Sequence, residues 1–397
     1  MGRATFLTRV VLENYKSIAR CDVRLGPLMY LVGPNGSGKS NFLDAIAFVA
    51  EALRTSVGGA LRSRGGARAI CHAPNVGEGY FRIHLEFRDA EGESGHYTLR
   101  IGTLNDSRGI ADWVVREEDF KLGSAGFQGD HVWGGTSFVR GLALQFNADA
   151  ANVKSIYQAL AGMRVYNIDP RSIRDETPTD SVVPLFADGS NLATAFFRLS
   201  FPDRELHDRV IEYLRLVLPC LRDVRSVGVE YEGTSTEARK RAIIFIQRIG
   251  VKSEQNFLPS QMSVGTLRTL GILTALLQPT ESGQPSVVAI EEPEAHVHPA
   301  VVAVLRDAMI EASYRNQILV ATQSADLLDD KEVAVDSVLV FEAAEGVTSI
   351  SGIAEIDRDV IRRRLYTPGE LMRIGQLEGE PPVAGSEDRL APAGGSS

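Results

Sequence analysis

The chain is poor in most of the features that would narrow its class on their own. It has three cysteines, Cys21, Cys71 and Cys220, spaced for neither a metal knuckle nor a disulfide framework. No apolar run approaches the roughly 18 residues that a membrane helix needs, and the opening stretch MGRATFLTRVVLENYKS lacks a signal-peptide core. A cytoplasmic protein with no membrane partner is therefore expected. Basic residues are in deficit, with 42 Lys and Arg against 51 Asp and Glu for a net charge of −9. That excludes a chain coated for nonspecific nucleic-acid binding, though a local basic groove remains compatible with the total. Heptads sustained over tens of residues are missing too, which excludes long coiled-coil arms. There is no internal repeat.

What is present lies in short, dense stretches. The apolar run Leu28–Val32 leads into GPNGSGKSN, residues Gly33, Pro34, Asn35, Gly36, Ser37, Gly38, Lys39, Ser40 and Asn41. Phe42, Leu43, Ile46, Val49 and Leu53 then follow at helical spacing. A buried strand, a glycine-rich turn and a helix in that order form a phosphate cradle. Glycines let successive backbone N–H groups curl around an anion, and the helix N-terminus adds positive potential. Lys39 is placed to reach the β- and γ-phosphates of a nucleoside triphosphate, and the Ser40 hydroxyl to ligate Mg²⁺.

Three further stretches follow late in the chain. VVAIEEPE, Val287 to Glu294, reads as a buried strand with two carboxylates at its C-terminal end, where open α/β sheets bind ligands. Glu291 suits the Mg²⁺ shell, and Glu292 suits a base that polarises the attacking water. Ser263-Val264-Gly265 heads an apolar helix, which makes either a plain N-cap or a second anion site. Ala321-Thr322-Gln323-Ser324 closes the strand Gln317–Ala321 and offers the Gln323 amide. An amide can hydrogen-bond phosphate or water but carries no charge near neutral pH, so slow turnover is expected.

Strands are expected within 5–32, a hairpin sheet from Tyr80 to about Val115, and an irregular mixed segment from Phe120 to Pro202. An amphipathic helix is expected over Asp203–Leu218 and a strand over Ala242–Ile249. The order strand, helix, strand after Ser286 suits a parallel sheet covered by helices. Domains are expected at 1–55 (with the phosphate loop), 56–240 (antiparallel β and helical insertion) and 241–375, with a frayed tail at 376–397. Arg54, Arg62, Arg64 and Arg68 lie in a stretch free of acidic residues, read either as contacts to a phosphate backbone or as a solvated loop. His296 and His298 lack a third ligand at metal spacing, so a structural turn is expected there, and Cys71-His72 is equally unsupported.

Taken together these stretches resemble the RecF/OLD/SMC-like branch of ABC-type ATPases, often grouped as "AAA family" predicted ATPases. LENYKSI (Leu12–Ile18), GPNGSGKSN, FADGSNLA (Phe186–Ala193), QMSVGTLRTLGIL (Gln261–Leu273), AIEEPEAHVHP (Ala289–Pro299) and ATQSADLLD (Ala321–Asp329) carry the resemblance. It implies an α/β head of two lobes, with a mixed, mostly parallel sheet flanked by helices, an antiparallel β lobe and a helical insertion. It also implies ATP and Mg²⁺ as cofactors and a homodimer closed head to tail on two ATP molecules, or a higher assembly built from it. Ser263 and Gly265 would act across the dimer, with Glu294 to Pro299 as a connection at the interface. DNA and a separately encoded nuclease or other effector are the implied partners, in DNA maintenance or antiviral defence. An ATP-gated scaffold that hardly hydrolyses is the alternative. The chain departs from the family pattern at Glu291, where an aspartate is more general, and at Gln323, where a histidine is usual. Gln145 is a weak candidate for the glutamine of the family's Q-loop.

Overall fold

A computed structural model describes residues 6–72, 79–89, 91–105, 111–123, 125–129, 133–134, 142–146, 151–174, 176–178, 184–201, 204–229, 240–250, 253–279 and 286–380. A six-stranded sheet organises the molecule. Its order is Val347–Gly352, Val338–Ala344, Leu28–Val32, Gln317–Thr322, Val287–Glu291 and Arg164–Tyr166. All neighbours pair in parallel except the first two, which form an antiparallel hairpin. Leu28–Val32 and Gln317–Thr322 are buried on both faces, as near-continuous apolar runs in a covered parallel sheet must be.

Alternate residues of each strand feed two cores, because side chains alternate across a sheet. Met29, Leu31, Val287, Ala289, Leu319 and Ala321 pack with Phe42, Ile46 and Val49 of the helix Lys39–Arg54 and with the antiparallel sheet beyond it. Tyr30, Val32, Val288, Ile290, Ile318 and Val320 pack on the opposite face. There they meet Leu267, Leu270 and Leu273 of the helix Val264–Leu277, and Leu305 and Met309 of Pro299–Ala312.

The antiparallel sheet runs Ile18–Arg24, Leu7–Tyr15, Tyr80–Arg88, Ser94–Asn105, Ala111–Leu122 and Ala125–Gly129. The expected hairpin from Tyr80 is its centre, with Phe81, Ile83, Leu85 and Phe87 buried and the alternate positions outward. A third sheet pairs Lys240–Ile249 with Leu221–Val229, Ser253–Phe257 and Thr177–Pro178. The helix Glu205–Val217 packs beside it. Its buried residues Val210, Ile211 and Leu214 are among those that the apolar periodicity of the sequence singles out.

One strand of the main sheet falls in the segment that reads as irregular from sequence. Arg164–Tyr166 pairs with Val287–Glu291 at the sheet edge. Three residues cannot display a period of two, so the sequence carries no signal for it.

Candidate nucleotide site

The parallel topology brings the C-terminal ends of five strands to one rim, and the phosphate loop lies there. Gly38 takes φ 98° directly before the helix Lys39–Arg54, a left-handed conformation that favours glycine. A Cβ on Gly38 would lie 2.2 Å from Thr348 Oγ1, and one on Gly33 would lie 2.2 Å from the Phe341 carbonyl oxygen. The loop is thus clamped from behind by the hairpin Val338–Ala344/Val347–Gly352. Ser17 and Thr348 hydroxyls sit 2.7 Å apart, and the Asn41 amide donates to Ser17 Oγ at 2.6 Å. The LENYKSI stretch is the hairpin turn that supplies Ser17, so its closeness to the loop is mechanical. The side chain of Asn41 is committed to that contact, although the residue lines the cleft.

Lys39 Nζ donates to the carbonyl oxygens of Gly33 at 2.7 Å and Pro34 at 2.8 Å, curling the loop around its own ammonium. Burial pushes its pKa down, and the nearby charges of Glu292, Glu294 and Glu291 pull the other way. A cleft of about 210 Å³ opens above the loop, lined by Asn35 to Asn41, Glu291, Glu292, Ala321 and Asn167. The structure therefore brings the phosphate loop and both carboxylates to one cavity. Ser40 and Glu291 face the same space with hard oxygen donors, the chemistry Mg²⁺ requires.

Glu292 stands at φ 45°, a region few glutamates adopt, and its N–H donates to the Ala321 carbonyl at 2.8 Å. The strand ends in that sharp turn, and Gln323 Nε2 donates to Glu292 Oε1 at 3.1 Å. Glu294 fastens the neighbouring loop: its Oε1 accepts from Thr322 Oγ1 at 2.6 Å and from the Gln323 N–H at 3.1 Å.

Ser263 caps the helix Val264–Leu277, its Oγ accepting from the Thr266 N–H at 3.1 Å. It lines a second cleft, together with Gly265, His296, Val297 and His298, separate from the phosphate loop. A Cβ on Gly265 would lie 2.9 Å from the His296 carbonyl, so this helix and the Glu294–Pro299 connection abut. His298 Nδ1 accepts from the Ala300 N–H at 3.1 Å and caps the next helix. Among the described residues no cluster of three or more His, Cys, Asp and Glu is arranged to hold a metal.

Two candidates from sequence find other places. Gln145 donates to the Leu53 carbonyl, at the far end of the helix Lys39–Arg54. That is some 20 Å from Lys39 at 1.5 Å per residue, so the Q-loop role does not fall to it. Arg64 is turned inward. It donates to Asp44 at 2.8 Å and Glu51 at 2.6 Å and lies 5.3 Å from the centre of the Phe48 ring, so it is structural and presents no charge to a phosphate backbone. Asn167, unforeseen from sequence, takes a place in the cleft. It directly follows the edge strand, and its N–H donates to the Ala187 carbonyl at 2.9 Å, within FADGSNLA.

Residues 28–122 and 182–330 match the family described as "AAA domain, putative AbiEii toxin, Type IV TA system". The chain belongs to this AAA-domain family. Among curated relatives of this AAA-domain chain, the DNA replication and repair protein RecF of Paenarthrobacter aurescens is 35% identical over 107 residues, 26% of each chain. The phosphonates import ATP-binding protein PhnC 2 of Haloquadratum walsbyi is 25% identical over 141 residues, 36% of this chain and 48% of that one. The chain thus aligns with half or less of the length of these relatives. Its fold is similar to that of the Smc head domain with an extended coiled coil bound to the C-terminal domain of ScpA, from Pyrococcus furiosus. That match has a TM-score of 0.54 and 13% identity, and it covers 91% of this chain and 100% of that one. The SmcHead bound to the C-winged helix domain of ScpA superposes with a TM-score of 0.53 at 15% identity, covering 89% and 99%. The AAA-domain protein thus has a fold similar to that of Smc head domains, and part of its sequence is similar to RecF. Among the described residues no helix is long and apolar enough to cross a membrane.

Proposed function

We propose that this chain binds ATP with Mg²⁺, closes head to tail with a second copy, and hydrolyses the nucleotide to reopen. It would thereby act as a clamp or switch on DNA or on a partner effector in the cytoplasm. The observation that carries the reading is the meeting of Lys39, Ser40, Glu291 and Glu292 in one cleft with Gln323 on Glu292. Lys39 would exchange its loop carbonyls for the β- and γ-phosphates. Ser40 and Glu291 would hold Mg²⁺, which neutralises phosphate charge when bound. Glu292 would orient a water and take its proton as the water oxygen bonds to the γ-phosphorus. The bond to the β–γ bridging oxygen then breaks to leave ADP and phosphate. Ser263 and Gly265 lie in a different cleft from their own chain's phosphate loop, which supports their action on the partner's nucleotide. RecF is named for DNA replication and repair, and that favours DNA as the object of the clamp.

A second reading, an ATP-gated scaffold with little turnover, is favoured by Gln323. Its amide occupies one oxygen of Glu292 and offers no titrating group.

ATP turnover with and without double-stranded DNA, together with the solution mass of the Glu292→Gln variant in ATP, tests both. DNA-stimulated hydrolysis in the wild type and an ATP-trapped dimer of the variant are expected. Rapid turnover by Glu292→Gln would remove Glu292 from its role. Negligible turnover with nucleotide bound would leave the scaffold reading.

A further inference from the structure

Twelve of the 14 residues of the helix Val264–Leu277 are buried, and Arg268 is one of them at 5% exposure. The helix is otherwise apolar or small at its contacts, so a cation here is out of keeping with its surroundings. Among the described residues no carboxylate forms a salt bridge with Arg268; its donors go to backbone carbonyls. Nη1 donates to Ile168 at 2.5 Å, and Nη2 to Glu292 at 2.9 Å and Glu291 at 3.3 Å. Nε is buried with no partner. Burial pulls the pKa of this guanidinium down, while the charges of Glu292, Glu294 and Asp169 offset part of that.

Replacing buried charged groups by well-packed apolar side chains of similar volume is often neutral or stabilising. Packing therefore does not account for an arginine here, whereas the segments it joins do. One is the turn that holds Glu292 at φ 45°. Another follows Asn167, which reaches the cleft. The third is the helix itself, capped by Ser263 five residues upstream, little more than one turn away. The helix also rides tightly on the Asn167–Ile168 segment, since a Cβ on Gly271 would lie 2.8 Å from Ile168 Cγ2.

We infer that Arg268 is a positioning residue that ties the Ser263 end of this helix to the backbone of Glu292 and to the Asn167 segment. Contact of Ser263 with the nucleotide held by a partner chain is thereby passed to the water-activating carboxylate. The inference rests on the composite site proposed above.

Its test compares Arg268→Met and Arg268→Lys with the wild type. The readouts are melting temperature, affinity for a fluorescent ATP analogue, kcat, and the hydrogen exchange of residues 286–300 on addition of ATP. Arg268→Met is expected to melt no lower than the wild type and to bind nucleotide within about threefold of it, with kcat falling ~10- to 100-fold. Arg268→Lys, which keeps charge and part of the reach, should recover some of that rate. ATP-induced protection of residues 286–300 should be present in the wild type and lost in Arg268→Met, a readout that does not require turnover. Unchanged kcat and unchanged protection in a folded, ATP-binding Arg268→Met would overturn the inference while sparing the site. A joint fall of melting temperature, affinity and kcat would overturn it in favour of plain packing. A wild type that binds no ATP would overturn the reading of the site itself.

Discussion

At the scale of single residues, the cleft is built from side chains whose alternatives are costly. Lys39 shows this most plainly. Its ammonium is buried, satisfied by two loop carbonyls, and held below its ordinary pKa of 10.5 by desolvation. The folded chain therefore binds this proton less tightly than the unfolded one. Its charge works against folding at neutral pH, and that penalty is relieved only as pH rises towards 10.5. What it would offer in return, in the proposed function, is a charge-assisted partner for phosphate. Lys39→Met should therefore weaken ATP affinity by ~10- to 100-fold, the range for losing a charged hydrogen bond, without lowering the melting temperature. Isothermal titration with ATP and a thermal melt of the same sample check both halves; a variant that binds as well as the wild type would break the assignment. The residues legible from sequence were those whose chemistry and local geometry share one contiguous stretch, as Gly33–Asn41 and Val287–Glu294 do. Asn167 and Arg268 were not legible. A three-residue edge strand carries Asn167 into place, and Arg268 is distinguished only by carbonyls 24 and 100 residues away.

At the scale of elements, alternation and helical spacing were read correctly where segments are long, as in the hairpin from Tyr80 and the helix Glu205–Val217. The arginine-bearing stretch 54–68 shows where such reading stops. Its lack of nearby acids left all four arginines as solvated or phosphate-contacting charges. Arg54, Arg62 and Arg68 are exposed, but the fold turns Arg64 against the helix Lys39–Arg54, whose Asp44 and Glu51 meet it. The partners sit 20 and 13 residues upstream on a different element, and no local pattern announces them. Arg64 is thus a strut between the phosphate-loop helix and the short helices Val57–Arg62 and Ala67–Ile70. Lys16 shares Asp44 at 2.6 Å, which extends the network to the hairpin turn carrying Ser17. Arg64→Met should destabilise the fold by about 1–3 kcal/mol, because two partly buried carboxylates lose a partner. DNA binding by the variant, if the wild type binds DNA, should be unchanged. Chemical denaturation and a DNA mobility assay separate the two. A stable variant with weakened DNA binding would return Arg64 to the surface-contact reading.

At the scale of the whole molecule, the proposed dimer would account for one arrangement. The phosphate loop and its carboxylates share a cleft, while Ser263 and Gly265 open on another. Yet Arg268 ties the helix behind Ser263 back to Glu292 in the same chain. The proposed two-fold dimer would bring each surface against its complement twice over, and so would make two composite sites. The consequence can be tested by mixing two inactive chains. Lys39→Met takes the ammonium from the phosphate loop of one variant, and Ser263→Arg blocks the capping end of the helix in the other. Alone, each makes dimers with both sites broken. In a mixed dimer, the phosphate loop of the Ser263→Arg chain faces the intact Ser263 of the Lys39→Met chain. One site is restored and the other is doubly broken. With equal amounts and random pairing, half the dimers are mixed and each carries one working site of two. Activity should then return to about a quarter of the wild-type rate if the sites act independently. A recovery well below that, with mixed dimers shown by mass to form, would mean that both sites must fire together. No recovery together with no mixed dimer formed in ATP would mean that Ser263 does not meet a partner's nucleotide, and the head-to-tail arrangement would fall with it.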